Sequence, residues 1–80
     1  MTLEILTFGI ARDIIGSSLF SIEMTEGSSV DDLKQQILKQ YPRFESLSSL
    51  MIAVNEEYGN EATLLKHGDE IALIPPVSGG

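Results

Sequence analysis

Ser29-Val30-Asp31-Asp32-Leu33-Lys34-Gln35-Gln36-Ile37-Leu38-Lys39-Gln40-Tyr41-Pro42 holds the strongest helix signal in the 80-residue chain. Ser29 is a good N-cap, because its hydroxyl can accept one of the amides left without a partner at a helix start. Asp31 and Asp32 place negative charge at the positive end of the helix dipole, and Asp32 stands where a capping-box partner belongs. Val30, Leu33, Ile37 and Tyr41 recur at helical spacing while Lys34, Gln35 and Lys39 take other faces, which predicts one amphipathic helix of about twelve residues. Pro42 ends it, having no N–H to continue the ladder.

Both flanks of this helix read as extended. On the N-terminal side, Leu3 to Ile10 alternates, with Leu3, Ile5 and Thr7 on one face and Glu4, Leu6 and Phe8 on the other. Ala11-Arg12-Asp13-Ile14-Ile15 forms one helical turn ending at Gly16, and a second strand runs from Leu19 to Met24. So short a connection favours an antiparallel hairpin. On the C-terminal side, Phe44, Leu47 and Leu50 keep three-residue spacing, a short helical turn before the strand Met51-Ile52-Ala53-Val54. Asn55 and Gly59-Asn60 mark turns, Gly68-Asp69 another, and Glu70 to Ile74 makes the last strand.

Hairpin, helix, then further strands is an α+β order, with one main helix lying across one face of a mixed sheet of four to five strands. The ubiquitin-like β-grasp is the fold that fits. The predicted domain occupies residues 1–74, and residues 75–80 form a flexible tail, since Pro75-Pro76 cannot donate to a strand ladder and favours polyproline geometry. Strand parity adds a second expectation. If Glu4 and Glu70 face solvent, so do Leu6, Phe8 and Ile74, and an apolar patch of that kind marks an interface.

Composition narrows function mainly by exclusion. Offsetting the conformational entropy of so short a chain commits most of its apolar side chains to the core, leaving little for an active-site cavity of its own. The chain has no cysteine, which excludes disulfides, thiolate metal sites and a side-chain persulfide. A net charge of −7 has the wrong sign for nucleic acid or anionic lipid, so partners are expected to be neutral or basic. Without a basic leader or a long apolar run, a cytoplasmic protein is the default reading. The single histidine, His67, reads as a solvated turn residue, and no metal site is expected. Glu56, Glu57 and Glu61 read as a solvated loop, with steering of a basic partner as the alternative.

The end of the sequence is its most specific feature. Pro75, Pro76, Val77 and Ser78 lead to Gly79-Gly80, and six extended residues can span up to roughly 20 Å, enough to enter a partner's pocket while the domain stays outside. Glycines pass where a Cβ would clash. A terminal carboxylate on such an arm can be activated as an acyl-adenylate and converted to a thiocarboxylate.

Ile74-Pro75-Pro76-Val77-Ser78-Gly79-Gly80, preceded by Gly68-Asp69-Glu70-Ile71-Ala72, resembles the C-terminus of the MoaD family, the small sulfur-carrier subunits of molybdopterin synthase. Phe8-Gly9-Ile10-Ala11-Arg12-Asp13-Ile14-Ile15-Gly16 is similar to the family's first strand and following turn, and Ala53-Val54-Asn55-Glu56-Glu57-Tyr58 to its third strand. The resemblance implies that an E1-like adenylating enzyme spends ATP on Gly80, that a sulfur donor turns Gly80 into a thiocarboxylate, and that the chain itself binds no cofactor. The sulfur then goes to cyclic pyranopterin monophosphate inside the large, MoaE-type subunit of a heterotetramer, with Pro75, Pro76, Val77, Ser78 and Gly79 inserted alongside. Carried over by motif, Phe8, Tyr58 and Ile74 fall at the family's hydrophobic interface. The chain departs from the pattern at Leu73-Ile74 and Thr7, where many members carry aromatics, which implies a repacked interface. Arg12 matches a recurrent basic position, read here as a local contact. Related readings are a carrier for thiamin synthesis or tRNA thiolation, a ubiquitin-like modifier joined to lysines through Gly80, and a plain interaction module with an inert tail.

Overall fold

A computed structural model of the chain describes residues 1–46 and 50–75. Five strands form one mixed sheet: β1 (Thr2–Thr7), β2 (Leu19–Glu23), β3 (Met51–Val54), β4 (Glu57–Tyr58) and β5 (Glu70–Ile74), in the spatial order β2-β1-β5-β3-β4. β1 and β5 run parallel at the centre, and the remaining pairs are antiparallel. Helix α1 (Gly9–Ile15) joins β1 to β2, α2 (Val30–Gln40) follows the hairpin, and a 3-10 helix spans Pro42–Ser46. With its single long helix packed on one face of a mixed sheet, this is a ubiquitin-like β-grasp. Among the described residues no helix is long and apolar enough to cross a membrane.

The core follows from side-chain alternation. Phe20, Ile5, Ile71 and Val54 stand on one register row across four strands, with Leu3 paired to Ile22 on one side and Leu73 to Ile52 on the other. Val30, Leu33 and Ile37 of α2 join the same cluster, and Leu3, Ile5, Leu33, Ile37, Ile71 and Leu73 are fully buried. Tyr41 packs edge-on against both Phe20 and Phe44, anchoring the end of α2 and the 3-10 helix to the hairpin. Ser29 caps α2 as its sequence predicts. Its hydroxyl accepts from the Asp32 N–H, and its own N–H donates to the Asp32 carboxylate at 2.9 Å.

Several boundaries differ from the sequence reading. β1 stops at Thr7 instead of Ile10, because Phe8 becomes the N-cap of α1 and Gly9 takes a left-handed φ of +54° that a strand cannot continue through. The helical turn expected at Ala11 therefore begins two residues earlier. β2 ends at Glu23, although Met24 still donates its N–H to the Met1 carbonyl. The predicted turn around Phe44 is the 3-10 helix, while Leu47 lies outside the described residues. β4 is the fifth strand that the expected four to five allowed, at a place where residue patterning marked only turns and an acidic loop and the family resemblance ran on from the third strand. Val54 pairs with Glu57 across a two-residue connection in which Asn55 and Glu56 both have positive φ, the type I′ geometry that matches strand twist.

Candidate functional site

The helices cover one face of the sheet and leave the other open, and every strand contributes to what lies there. Because residues on one register row point the same way, Glu4 brings Ser21 and Glu70 to the open face, and Leu6 brings Leu19 and Ala72. Ala72 pairs with Ala53, and Ala53 with Tyr58, so Leu19, Leu6, Ala72, Ala53 and Tyr58 form one uninterrupted apolar row through all five strands. At the usual strand spacing such a row is about 19 Å wide. Ile74 and its register partner Met51 extend the apolar area toward the end at which β5 leaves the sheet.

Phe8, Tyr58 and Ile74 come together here. All three line one shallow groove of about 310 Å³, whose other walls are Leu6, Ala53, Ala72 and the acidic residues Glu56 and Glu70. Phe8 is 50 % exposed and Tyr58 65 %, which is a large apolar area left in water by an 80-residue domain with few aromatics. Phe8 is held by its backbone: its carbonyl accepts the Ala11 N–H at 3.0 Å as α1 begins, which leaves the ring outside the core. A Cβ built on Gly9 would lie 3.6 Å from the Pro75 ring, so the first residue of the tail starts beside Phe8. Pro76, Val77, Ser78, Gly79 and Gly80 lie outside the described residues.

Sequence reasoning missed two members of this face. Leu19 was read only as the start of a strand, and Met51 only as part of an apolar run, yet they are 48 % and 46 % exposed. Their signal was register: once Leu6 is known to face outward, the residue opposite it on β2 must do so too. Away from this face, His67 is an exposed turn residue and Arg12 sits exposed in the last turn of α1. Among the described residues no group of three or more His, Asp or Glu side chains could hold a metal ion.

Residues 5–80 match the ThiS family over nearly the whole sequence. The chain belongs to the ThiS family. Its likeness is to the MoaD-type members: it is 35 % identical over 83 residues to the molybdopterin synthase sulfur carrier subunit of Chlamydomonas reinhardtii, covering 100 % of both chains. The corresponding protein of Arabidopsis thaliana is 33 % identical over 79 residues, which are 98 % of this chain and 82 % of that one. Among solved structures, a putative molybdopterin converting factor subunit 1 from Pyrococcus furiosus superposes with a TM-score of 0.87 at 29 % identity, covering 96 % of this chain and 99 % of that one. SAMP1 of Haloferax volcanii gives 0.84 at 25 % identity, with 100 % of each chain covered. A complex of subunits 1 and 2 of the Helicobacter pylori molybdopterin-converting factor contains a chain that matches with a TM-score of 0.68 at 32 % identity, again covering 100 % of both. In this ThiS-family chain, the apolar row therefore lies on a β-grasp whose relatives include one solved with a partner subunit.

Proposed function

We propose that this ThiS-family chain is the sulfur-carrying small subunit of a molybdopterin synthase. The observation that carries the reading is the apolar row Leu19-Leu6-Ala72-Ala53-Tyr58, continued by Phe8, Ile74 and Met51 to the end of β5. A carrier without a pocket for its own chemistry needs a broad docking face beside the root of its tail, so that one binding event also aims the tail. The naming of full-length relatives as molybdopterin synthase sulfur carriers, and the two-subunit Helicobacter complex, support a large-subunit partner for this face.

The chemistry would run on Gly80. An E1-like enzyme joins its carboxylate to the AMP moiety of ATP, releasing pyrophosphate. Hydrosulfide from a sulfur donor then displaces AMP to leave a thiocarboxylate, and the large subunit holds Pro75 to Gly79 while that sulfur bonds a carbon of cyclic pyranopterin monophosphate in place of an oxygen lost as water. A second water cleaves the resulting thioester, leaving the sulfur on the pterin and restoring the Gly80 carboxylate. No cofactor on this chain is needed, and the chain acts in the cytoplasm. A carrier for thiamin synthesis or tRNA thiolation would use the same terminus. A modifier reading, with Gly80 joined to lysines, is favoured by the likeness to SAMP1, a small archaeal modifier protein.

Intact-mass analysis of protein incubated with its activating enzyme, ATP and a sulfur donor tests these readings together. A carrier shows oxygen-to-sulfur exchange on the C-terminal peptide, and a modifier shows lysine conjugates. Removal of Gly80 should abolish the exchange and leave thermal stability unchanged. Neither product, with all components supplied, would leave an interaction module.

A further inference from the structure

The charged strand residues of the open face are all acidic. None of the five strands contains a lysine or an arginine, whereas register places three strand glutamates on the open face: Glu4 in β1, Glu23 opposite Thr2 in β2, and Glu70 in β5. The chain's five basic residues are Arg12 in α1, Lys34 and Lys39 in α2, Arg43 in the 3-10 helix and Lys66 in the loop before β5. The strand residues of the open face therefore carry negative charge with no strand cation beside it, in a chain whose overall charge is −7. Two of its carboxylate residues, Glu56 and Glu70, line the same groove as Phe8 and Tyr58.

The two walls of this groove ask for opposite things from whatever fills it. Leu6, Ala53, Ala72 and Ile74 offer an apolar floor, the aromatic residues offer rings, and the glutamates offer negative charge with no basic residue among the groove's lining. A purely apolar anchor would satisfy the floor but desolvate Glu56 and Glu70 without compensation, a cost that rises as the site is covered. A long cationic side chain satisfies both walls. Its methylene stem lies on apolar surface while its head reaches the carboxylates and stacks on an aromatic ring. A second copy of this chain cannot supply it, since a symmetric contact through this face would set Glu4, Glu56 and Glu70 of both copies against each other.

On the reading that the open face docks the large synthase subunit, we infer that the partner inserts a lysine or arginine into the groove between Phe8 and Tyr58, where Glu56 and Glu70 bind its charge. Glu56 and Glu70 are thus specificity-determining residues of the docking face, and the apolar row alone does not select the partner. Selection by charge also acts before contact, because a negative face attracts a basic patch at long range and rejects an acidic one.

The test is the affinity of the full chain for the purified large subunit, measured by titration calorimetry at several salt concentrations. Glu56→Gln and Glu70→Gln should each weaken binding on the order of fivefold at low salt and flatten its salt dependence. Glu45→Gln, the same charge change at an exposed position of the 3-10 helix, should leave affinity unchanged. Phe8→Ser should weaken binding at every salt concentration. Phe8→Ser acting without the two groove variants would overturn the cation and leave the docking face intact. An effect of Glu45→Gln equal to theirs would show mere net charge and also overturn it. Unchanged binding by Phe8→Ser would overturn the docking reading on which the inference rests.

Discussion

The side chain of Asn55 donates from Nδ2 to Asp69 Oδ1 at 3.0 Å while its Oδ1 accepts the Glu70 N–H at 3.0 Å, tying the β3–β4 turn to the turn that starts β5. Its backbone N–H adds a third link, to the Glu70 carbonyl at 2.7 Å. Asp69 is itself fixed from below, accepting the Lys66 N–H on its other carboxylate oxygen. Two turns far apart in sequence are thereby locked together, and with them the positions of Glu56, Tyr58 and Glu70 around the groove.

Asn55 also holds a φ of +52°, a region that asparagine enters more readily than most residues. Asn55→Ala loses both the side-chain bonds and the tolerance for that φ, and should destabilise the fold by roughly 2 kcal/mol. Asn55→Gly keeps the φ and loses only the bonds, which lie at the surface, so it should cost about half as much. Urea denaturation of the two variants checks the order. A glycine variant less stable than the alanine one would show that the backbone conformation is not under strain.

The capping box of α2 gives a second expectation. Ser29 is also bridged to Leu64, and Val30 donates to the Thr63 carbonyl at 2.8 Å, so the helix start is anchored to the loop before β5 as well as capped. Ser29→Ala removes the accepting hydroxyl alone and should cost about 1 kcal/mol, or a fall of roughly 4–8 °C in Tm for a domain of this size. Thermal scans by circular dichroism read this directly. Affinity for the large subunit should not change, because α2 lies on the opposite face of the sheet.

Phe8 separates docking from stability unusually well. It is the N-cap of α1 with extended backbone angles, and no side chain satisfies the first amides of that helix. Serine is among the best residues for this position, so Phe8→Ser exchanges an exposed ring for a competent cap. Stability should stay level or rise by up to about 1 kcal/mol, while large-subunit binding falls by tenfold or more, as for an aromatic anchor in an interface. Melting temperature and affinity measured on one preparation decide it. A lowered melting temperature would return Phe8 to the core.

The sequence made the buried and open faces of β1 and β5 legible because a glutamate marks each strand's outer side, and Glu4 and Glu70 turn out to be register partners. The capping box was legible for a similar reason, since Ser29 and Asp32 are local and their spacing alone defines the contact. β4 was not. A type I′ turn is normally announced by Asn-Gly or Asp-Gly, and here its second position is Glu56, so only half of the signal was present. Two residues of strand carry no periodicity of their own. Leu19 and Met51 were hidden because their place on the open face depends on cross-strand register, which no local pattern contains. The groove was therefore readable at Phe8, Tyr58, Ile74 and Glu70, but the place of Glu56 on its wall and its full width were not.

Glu56 poses a conflict between backbone preference and position that an experiment can resolve. With a φ of +69°, it sits where glycine is strongly preferred, and a non-glycine residue there costs on the order of 1 kcal/mol. Glu56→Gly should relieve that strain, offset in part by the greater freedom of glycine in the unfolded chain, for a net gain of up to about 1 kcal/mol. Removal of the carboxylate from the groove should at the same time weaken large-subunit binding. Glu56→Gln keeps the strained backbone and removes only the charge, so it should weaken binding with no change in denaturation midpoint. Together the pair assigns the stability effect to the backbone and the binding effect to the side chain. If the glycine variant were both more stable and bound as tightly as the parent, the glutamate at this turn would have no role in docking.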